Sequence, residues 1–272
     1  MKLVIRGFIT HKENETYADC ADFIGYNAKN LRFAISDGVS ISFFPELWSK
    51  ILVKEFLETD NLQKNNLQKI LTKAEEEWAA EVENIVKGEN ISWYIKKKYK
   101  NREYAAATFV GICIENGYWK SINIGDSFLL FIPKNCKNFQ QIIGFPNPNE
   151  YQFDNHPDYL ASIHDIYRGK LLITSKEKLS EGTFYLLTDA MAEWFINTLN
   201  YDIELAEITL KHIDTQEQFI ETIDRKREQG ELKNDDSSLL IIEVIDDKQT
   251  EIRCEIREFI NLEEMIEKEN TK

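Results

Sequence analysis

Apolar residues crowd three short runs near the N-terminus, KLVIRGFIT, ADCADFIGYN and LRFAIS, and each run predicts a strand. The spacing then changes. In PELWSKILVKEFLE, Leu47, Ile51 and Phe56 fall near one helical stripe, and Pro45 suits the first turn. A second helix is predicted over 62–86, with Leu67, Ile70, Leu71, Ala74, Trp78 and Val82 recurring every three or four residues. Such a stripe is a core-facing surface. From Ala105 the pattern returns to strands: AAATFVGICIENG, YWKSINIG and SFLLFI, with Asn116-Gly117 as a hairpin turn between the first two. A proline-bearing loop, FPNPNEYQFDNHPDYL, precedes two more strands, KLLITS and GTFYLLT. Helices are predicted over 190–199 and 216–229, SSLLIIEVI and EIRCEI close the sheet region, and the acid-rich C-terminal segment is helical.

No repeat or low-complexity linker divides the chain. Strands come in hairpin-like clusters separated by blocks of helix, not in strict βαβ alternation. This is an α+β layered pattern, read as a single domain over 1–272 with its core in residues 5–246.

Composition narrows the function classes. With 272 residues, 43% hydrophobic, the chain can build a large core. A formal net charge of −14 argues against nucleic acid as the main partner, because phosphate backbones are held by basic surfaces. The one basic cluster is IKKKYKNR, either a solvated loop or helix end or a local attraction for a phosphorylated substrate. No apolar run approaches the ~18 residues of a membrane span, so no membrane partner is expected. The N-terminus, MKLVIRGFITHKE, is too interrupted by charge for a signal peptide. Cys20, Cys113, Cys136 and Cys254 are scattered without a CxxC pair, which fits reduced thiols and a cytoplasmic location.

The candidate chemistry lies in carboxylates at the boundaries of buried segments. FAISDGVS ends an apolar run on Asp37, SINIGDSF delivers Asp126 after a glycine, and FYLLTDAMAEW places Asp189 ahead of a helix. NDDSSLLIIEV sets Asp235 before a strand, and CADF sets Asp22 at the edge of one. Each alone is explained as a turn former or helix cap. Independent caps would have no reason to share one form, whereas a pair of hard divalent cations needs several carboxylates converging from different strands. Two such ions can bind a phosphate ester and activate water for in-line attack.

These motifs, in this order, resemble the type 2C (PPM) family of metal-dependent protein serine/threonine phosphatases, in its bacterial-type branch. The resemblance covers residues 5–246 and implies a four-layer α-β-β-α sandwich of two antiparallel sheets flanked by helices. It further implies two Mg2+ or Mn2+ ions held by Asp22, Asp37, the carbonyl of Gly38, Asp189 and Asp235, with Asp126 and Glu193 at a third, weaker metal site. Asp37 and Asp189 would then act in catalysis through the metals and their water. Phosphorylated proteins are the implied substrates, and a cognate serine/threonine kinase the implied partner.

The pattern also departs from the family. Tyr17 stands where many members carry a phosphate-holding arginine, with Arg6, Lys12 and Arg32 as candidate substitutes. DGVS puts Val39 where eukaryotic members often have histidine, which leaves His11 as a candidate proton donor or phosphate contact. Ala190 replaces the family glycine, and Glu193 an aspartate. The alternative reading is a phosphatase-like regulator that binds metal or phosphopeptide without turnover.

Overall fold

The computed structural model describes residues 1–59, 64–153, 157–164, 172–174, 176–249 and 251–271. In chain order the elements are β1 (Lys2–Thr10), β2 (Asp22–Asn27), β3 (Arg32–Gly38), α1 (Pro45–Leu57), α2 (Lys64–Val86) and α3 (Trp93–Lys100). Next come β4 (Ala106–Glu115), β5 (Tyr118–Ile124), β6 (Phe128–Pro133), β7 (Ile143–Phe145), β8 (Leu160–Ala161), β9 (Leu172–Ile173), β10 (Glu177–Lys178) and β11 (Gly182–Leu187). The chain ends with α4 (Asp189–Tyr201), α5 (Ile203–Lys211), α6 (Gln216–Glu228), β12 (Ser237–Ile245), β13 (Arg253–Phe259) and α7 (Leu262–Asn270).

Two sheets form. One has the order β13-β1-β12-β11-β6-β7; the other runs β10-β5-β4-β3-β2, with β8 added to β4 and β9 to β5. The central strands β1, β3, β4, β6, β11 and β12 read as largely apolar runs because both faces are buried, whereas the edge strand β13 (RCEIREF) is neither apolar nor buried. In β6, Leu129 and Phe131 enter the core between the sheets, where they meet Phe33, Ile35 and Val110. The alternate residues Phe128, Leu130 and Ile132 instead join the core under α4–α6. The second sheet repeats the device: Phe33 and Ile35 of β3 point inward, and Ala34 faces Trp48, Leu52 and Phe56 of α1. The result is the expected α-β-β-α layering.

The expectation of antiparallel sheets fails at one pair, since β13 runs parallel to β1. The connection from β12 passes over β1 before β13 begins. Because β12 is antiparallel to β1, that second reversal returns the chain to the direction of β1.

Other expectations shift at their edges. The basic cluster forms most of a helix, α3, and α5 was not anticipated. Residues 62–63 of the predicted second helix, 154–156 of the proline-bearing loop, and 170, 171 and 175 of KLLITS lie outside the described residues. Among the described residues no helix is long and apolar enough to cross a membrane.

Candidate metal centre

The register of β2 and β3 sets the first pair of acids. Asp22 lies directly opposite Asp37 on the antiparallel neighbour, the arrangement that brings Cβ atoms to within about 5 Å. Like charges in that relation repel. Asp22 is fully buried, whereas Asp37 keeps a partly exposed edge. Asp126 follows Gly125 in the turn between β5 and β6, where a φ of 87° and the Asp158 carbonyl 2.4 Å from any added Cβ demand glycine. Asp189 opens α4 directly after β11, and Asp235 precedes β12. All five positions fall at the same end of the two sheets, because β2, β6 and β12 begin where β3, β5 and β11 finish.

Asp22 also ties the sheets together. Its Oδ2 accepts hydrogen bonds from Thr188 Oγ1 (2.9 Å), just after β11, and from Ser238 Oγ (2.7 Å), on β12 of the opposite sheet. Its Oδ1 is buried with no hydrogen-bond partner. A buried carboxylate oxygen left without a donor is costly, and a bound cation would remove that cost.

The electrostatics agree. Burial first, then the charges of Asp22, Asp189, Asp126 and Asp235, holds the Asp37 carboxyl well above its ordinary range. Burial followed by Asp236 does the same to Asp22, against the opposing Ser238 and Thr188 hydroxyls. Asp189 is pushed up to about 6, by burial and then Asp235, with the Ala190 N–H and Lys233 pulling the other way. A cation placed among acids that raise one another in this manner would stabilise their charged forms. The donors are all oxygen, which suits magnesium or manganese over softer metals.

Among the described residues, no three acidic, histidine or cysteine side chains stand close enough to hold one ion by themselves. Ions here would therefore take one or two carboxylates each and complete their shells with water and backbone oxygen, as magnesium commonly does. Gly38 suits such close approach. A Cβ there would lie 2.8 Å from the Pro45 carbonyl oxygen and 2.9 Å from that of Ala21.

The remaining candidates divide. Of the three cations considered for the arginine-free position, Arg6 is buried against Lys211, Ile213 and Glu243, and Arg32 binds Thr59 and Glu115 at the far end of β3. Lys12 alone reaches the acids, its Nζ 3.5 Å from Asp235 Oδ1 and 3.2 Å from Ser40 Oγ. Tyr17 is core, accepting a hydrogen bond from Gln216 Nε2 at 3.2 Å. His11 packs edge-on against Tyr17 and turns Nε2 toward Glu269 (3.8 Å), away from the aspartates. Glu193 is engaged by Lys233 Nζ at 2.7 Å.

Asp236 escaped notice in the sequence. Its two oxygens accept from the backbone N–H groups of Lys12 (3.0 Å) and Ala21 (2.8 Å), locking the loop after β1 to the start of β2. The doubled acid in NDDSS was the available signal, one carboxylate turned outward and the next inward.

No protein-family model matches the sequence, and no curated protein matches it. Solved structures do. A bacterial serine phosphatase superposes with a TM-score of 0.56 at 15% identity, covering 90% of this chain and 99% of the other. The chain has the type 2C phosphatase fold. Serine/threonine phosphatase Stp1 from Staphylococcus aureus gives a TM-score of 0.54 at 14% identity, over 89% of this chain and 94% of that one. The catalytic domain of serine/threonine protein phosphatase PstP, solved in complex with two manganese ions, gives 0.52 at 17% identity, over 90% and 100%. In this phosphatase fold the acids singled out in the sequence stand together at one end of the sandwich.

Proposed function

We propose that this chain is a divalent-metal-dependent protein phosphatase acting on phosphoserine and phosphothreonine. The observation that carries the reading is the convergence of Asp22, Asp37, Asp189 and Asp235, from four separate chain segments, at one end of a phosphatase fold. Asp22 through its unpartnered Oδ1, Asp37, Asp189, Asp235 and the Gly38 carbonyl are the groups to hold a pair of Mg2+ or Mn2+ ions. When bound, such ions supply a nucleophilic water at neutral pH and neutralise charge on the phosphoryl oxygens.

The chain's own residues have distinct tasks. Thr188 and Ser238 fix the Asp22 carboxylate by donating to Oδ2, so Oδ1 keeps one orientation. Asp236 fixes the loop that carries Lys12. Lys12, held over Asp235, is the cation placed to meet a substrate phosphate. No covalent enzyme intermediate is needed. Phosphorylated proteins are the substrates under this reading, and a serine/threonine kinase acting on the same proteins is its counterpart.

The test is phosphate release from a phosphothreonine peptide with manganese, with chelator, and in Asp37→Asn and Asp189→Asn variants. Chelation and each substitution should abolish turnover. Hydrolysis that persists through all three would refute the reading.

A further inference from the structure

Helix α3 is an excursion between α2 and β4 that contributes no buried side chain. Folding alone therefore gives little reason for its composition. Trp93 is 72% exposed and Tyr94 56%, and large aromatics exposed together mark interaction surfaces. From Trp93 to Arg102 the chain carries five cations, Lys96, Lys97, Lys98, Lys100 and Arg102, inside a protein of net charge −14; of these, Lys98 is paired with Glu103 at 3.5 Å. Lys97 lies over Trp93 (5.7 Å) and Lys98 over Tyr94 (5.3 Å). The helix dipole accounts for cations in the last turn. It does not account for Arg102 beyond the helix, nor for the exposure of Trp93 and Tyr94.

The surface is joined to the acid cluster. The segment that leads from α3 into β4 is bonded to the loop after Asp37: Phe43 N–H donates to the Tyr104 carbonyl (3.0 Å), and Val39 N–H to that of Ala106 (2.8 Å). Lys98 Nζ stands 6.0 Å from the Phe43 ring centroid. On the same loop, Ile41 is 89% exposed. Ala107 pairs with Gly38 in register. Five residues of extended chain span at most about 17 Å, and paired strands add about 5 Å, so Arg102 lies within about 22 Å of the Asp37 strand end.

From this placement we infer that α3 and Arg102 form a docking surface for an acidic stretch of the substrate protein, lying within about six residues of the phosphorylated side chain. The inference rests on the phosphatase reading above. Charge complementarity selects the occupant. A chain of net charge −14 repels an acidic stretch over most of its surface, and this basic cluster is the exception. An anionic membrane or nucleic acid would face the same repulsion over the whole of an acidic molecule, without the compensating closeness to the cleft.

The experiment compares phosphothreonine peptides that carry glutamates, or glutamines, within about six positions to either side of the phosphoresidue. Each is assayed with the manganese-loaded wild-type chain and a K96E/K100E/R102E variant, by kcat/KM and by fluorescence-polarisation binding. The acidic peptide should be preferred roughly tenfold at low salt through several exposed ion pairs. That preference should fade by about 0.5 M salt and vanish in the variant, with hydrolysis of p-nitrophenyl phosphate unchanged. Equal use of both peptides by the wild type, or a preference that survives the triple reversal, overturns the inference and leaves the phosphatase intact. Tighter binding to phosphatidylserine vesicles than to the acidic peptide also overturns it. No turnover on any substrate, with selective binding of the acidic peptide lost in the variant, refutes the phosphatase reading and upholds the surface.

Discussion

Stripping divalent cations should make this protein less stable as pH rises through the weakly acidic range. Asp189 shows why. Its carboxyl is pushed from 3.8 up to about 6 in the folded chain by burial and by Asp235. Between those values the native state holds a proton that the unfolded chain has released. The contribution is fully present below the unfolded value and is lost as pH rises past about 6. A rise of about two pH units corresponds to at most roughly 3 kcal/mol. At about 2–4 °C per kcal/mol for a domain of this size, Tm should fall by up to about 10 °C. Asp22 and Asp37 are raised in the same direction and add to the slope. The assay is thermal melting from pH 4.5 to 7.5 in chelator, repeated with manganese and with Asp189→Asn. Manganese should flatten the slope by supplying the missing positive charge, and the variant should remove the Asp189 share of it. A metal-free Tm that is flat or rises across this window, or a slope unchanged in Asp189→Asn, would refute the reasoning.

Two further predictions concern neighbours of the acids. Ser238→Ala removes one of the two hydroxyls that hold Asp22 Oδ2 and should cost roughly 1.5–3 kcal/mol in urea unfolding with metal present, as expected for a buried hydrogen bond to a charged group. The loss should shrink in chelator at low pH, where Asp22 carries a proton. Lys233→Met frees Glu193, now 2.7 Å from the ammonium, beside Asp189 and Asp126; calorimetric titration should then show tighter or additional manganese binding, and an unchanged isotherm would count against a cation role for Lys233.

How far the sequence could be read depended on range. Strands and the first helices were legible because burial on both faces leaves an apolar run, and burial on one face a helical stripe, as in Leu67 to Val82. The acids of FAISDGVS and NDDSS were legible as strand ends. Asp236 was not, since two adjacent aspartates look alike until backbone N–H groups select one. Arg6, Lys12 and Arg32 were equally plausible as text; their places at a helix-covered face, the acid cluster and the far end of β3 separate them. α5 was missed because its apolar residues fall on both sides: Ile203, Ala206 and Leu210 face the core, while Leu205 and Ile208 are exposed and blur the period.

Local composition thus determined which segments extend, which coil, and that short acids terminate several of the buried ones. Only tertiary structure decided that Asp22 faces Asp37, that Ser238 of the opposite sheet and Thr188 just after β11 reach across to Asp22, and that the segment following a basic helix is bonded to the loop after Asp37. The reason is physical. Strand and helix preferences act over a few residues, whereas the repulsion that makes this site want a cation exists only between groups brought together from far along the chain.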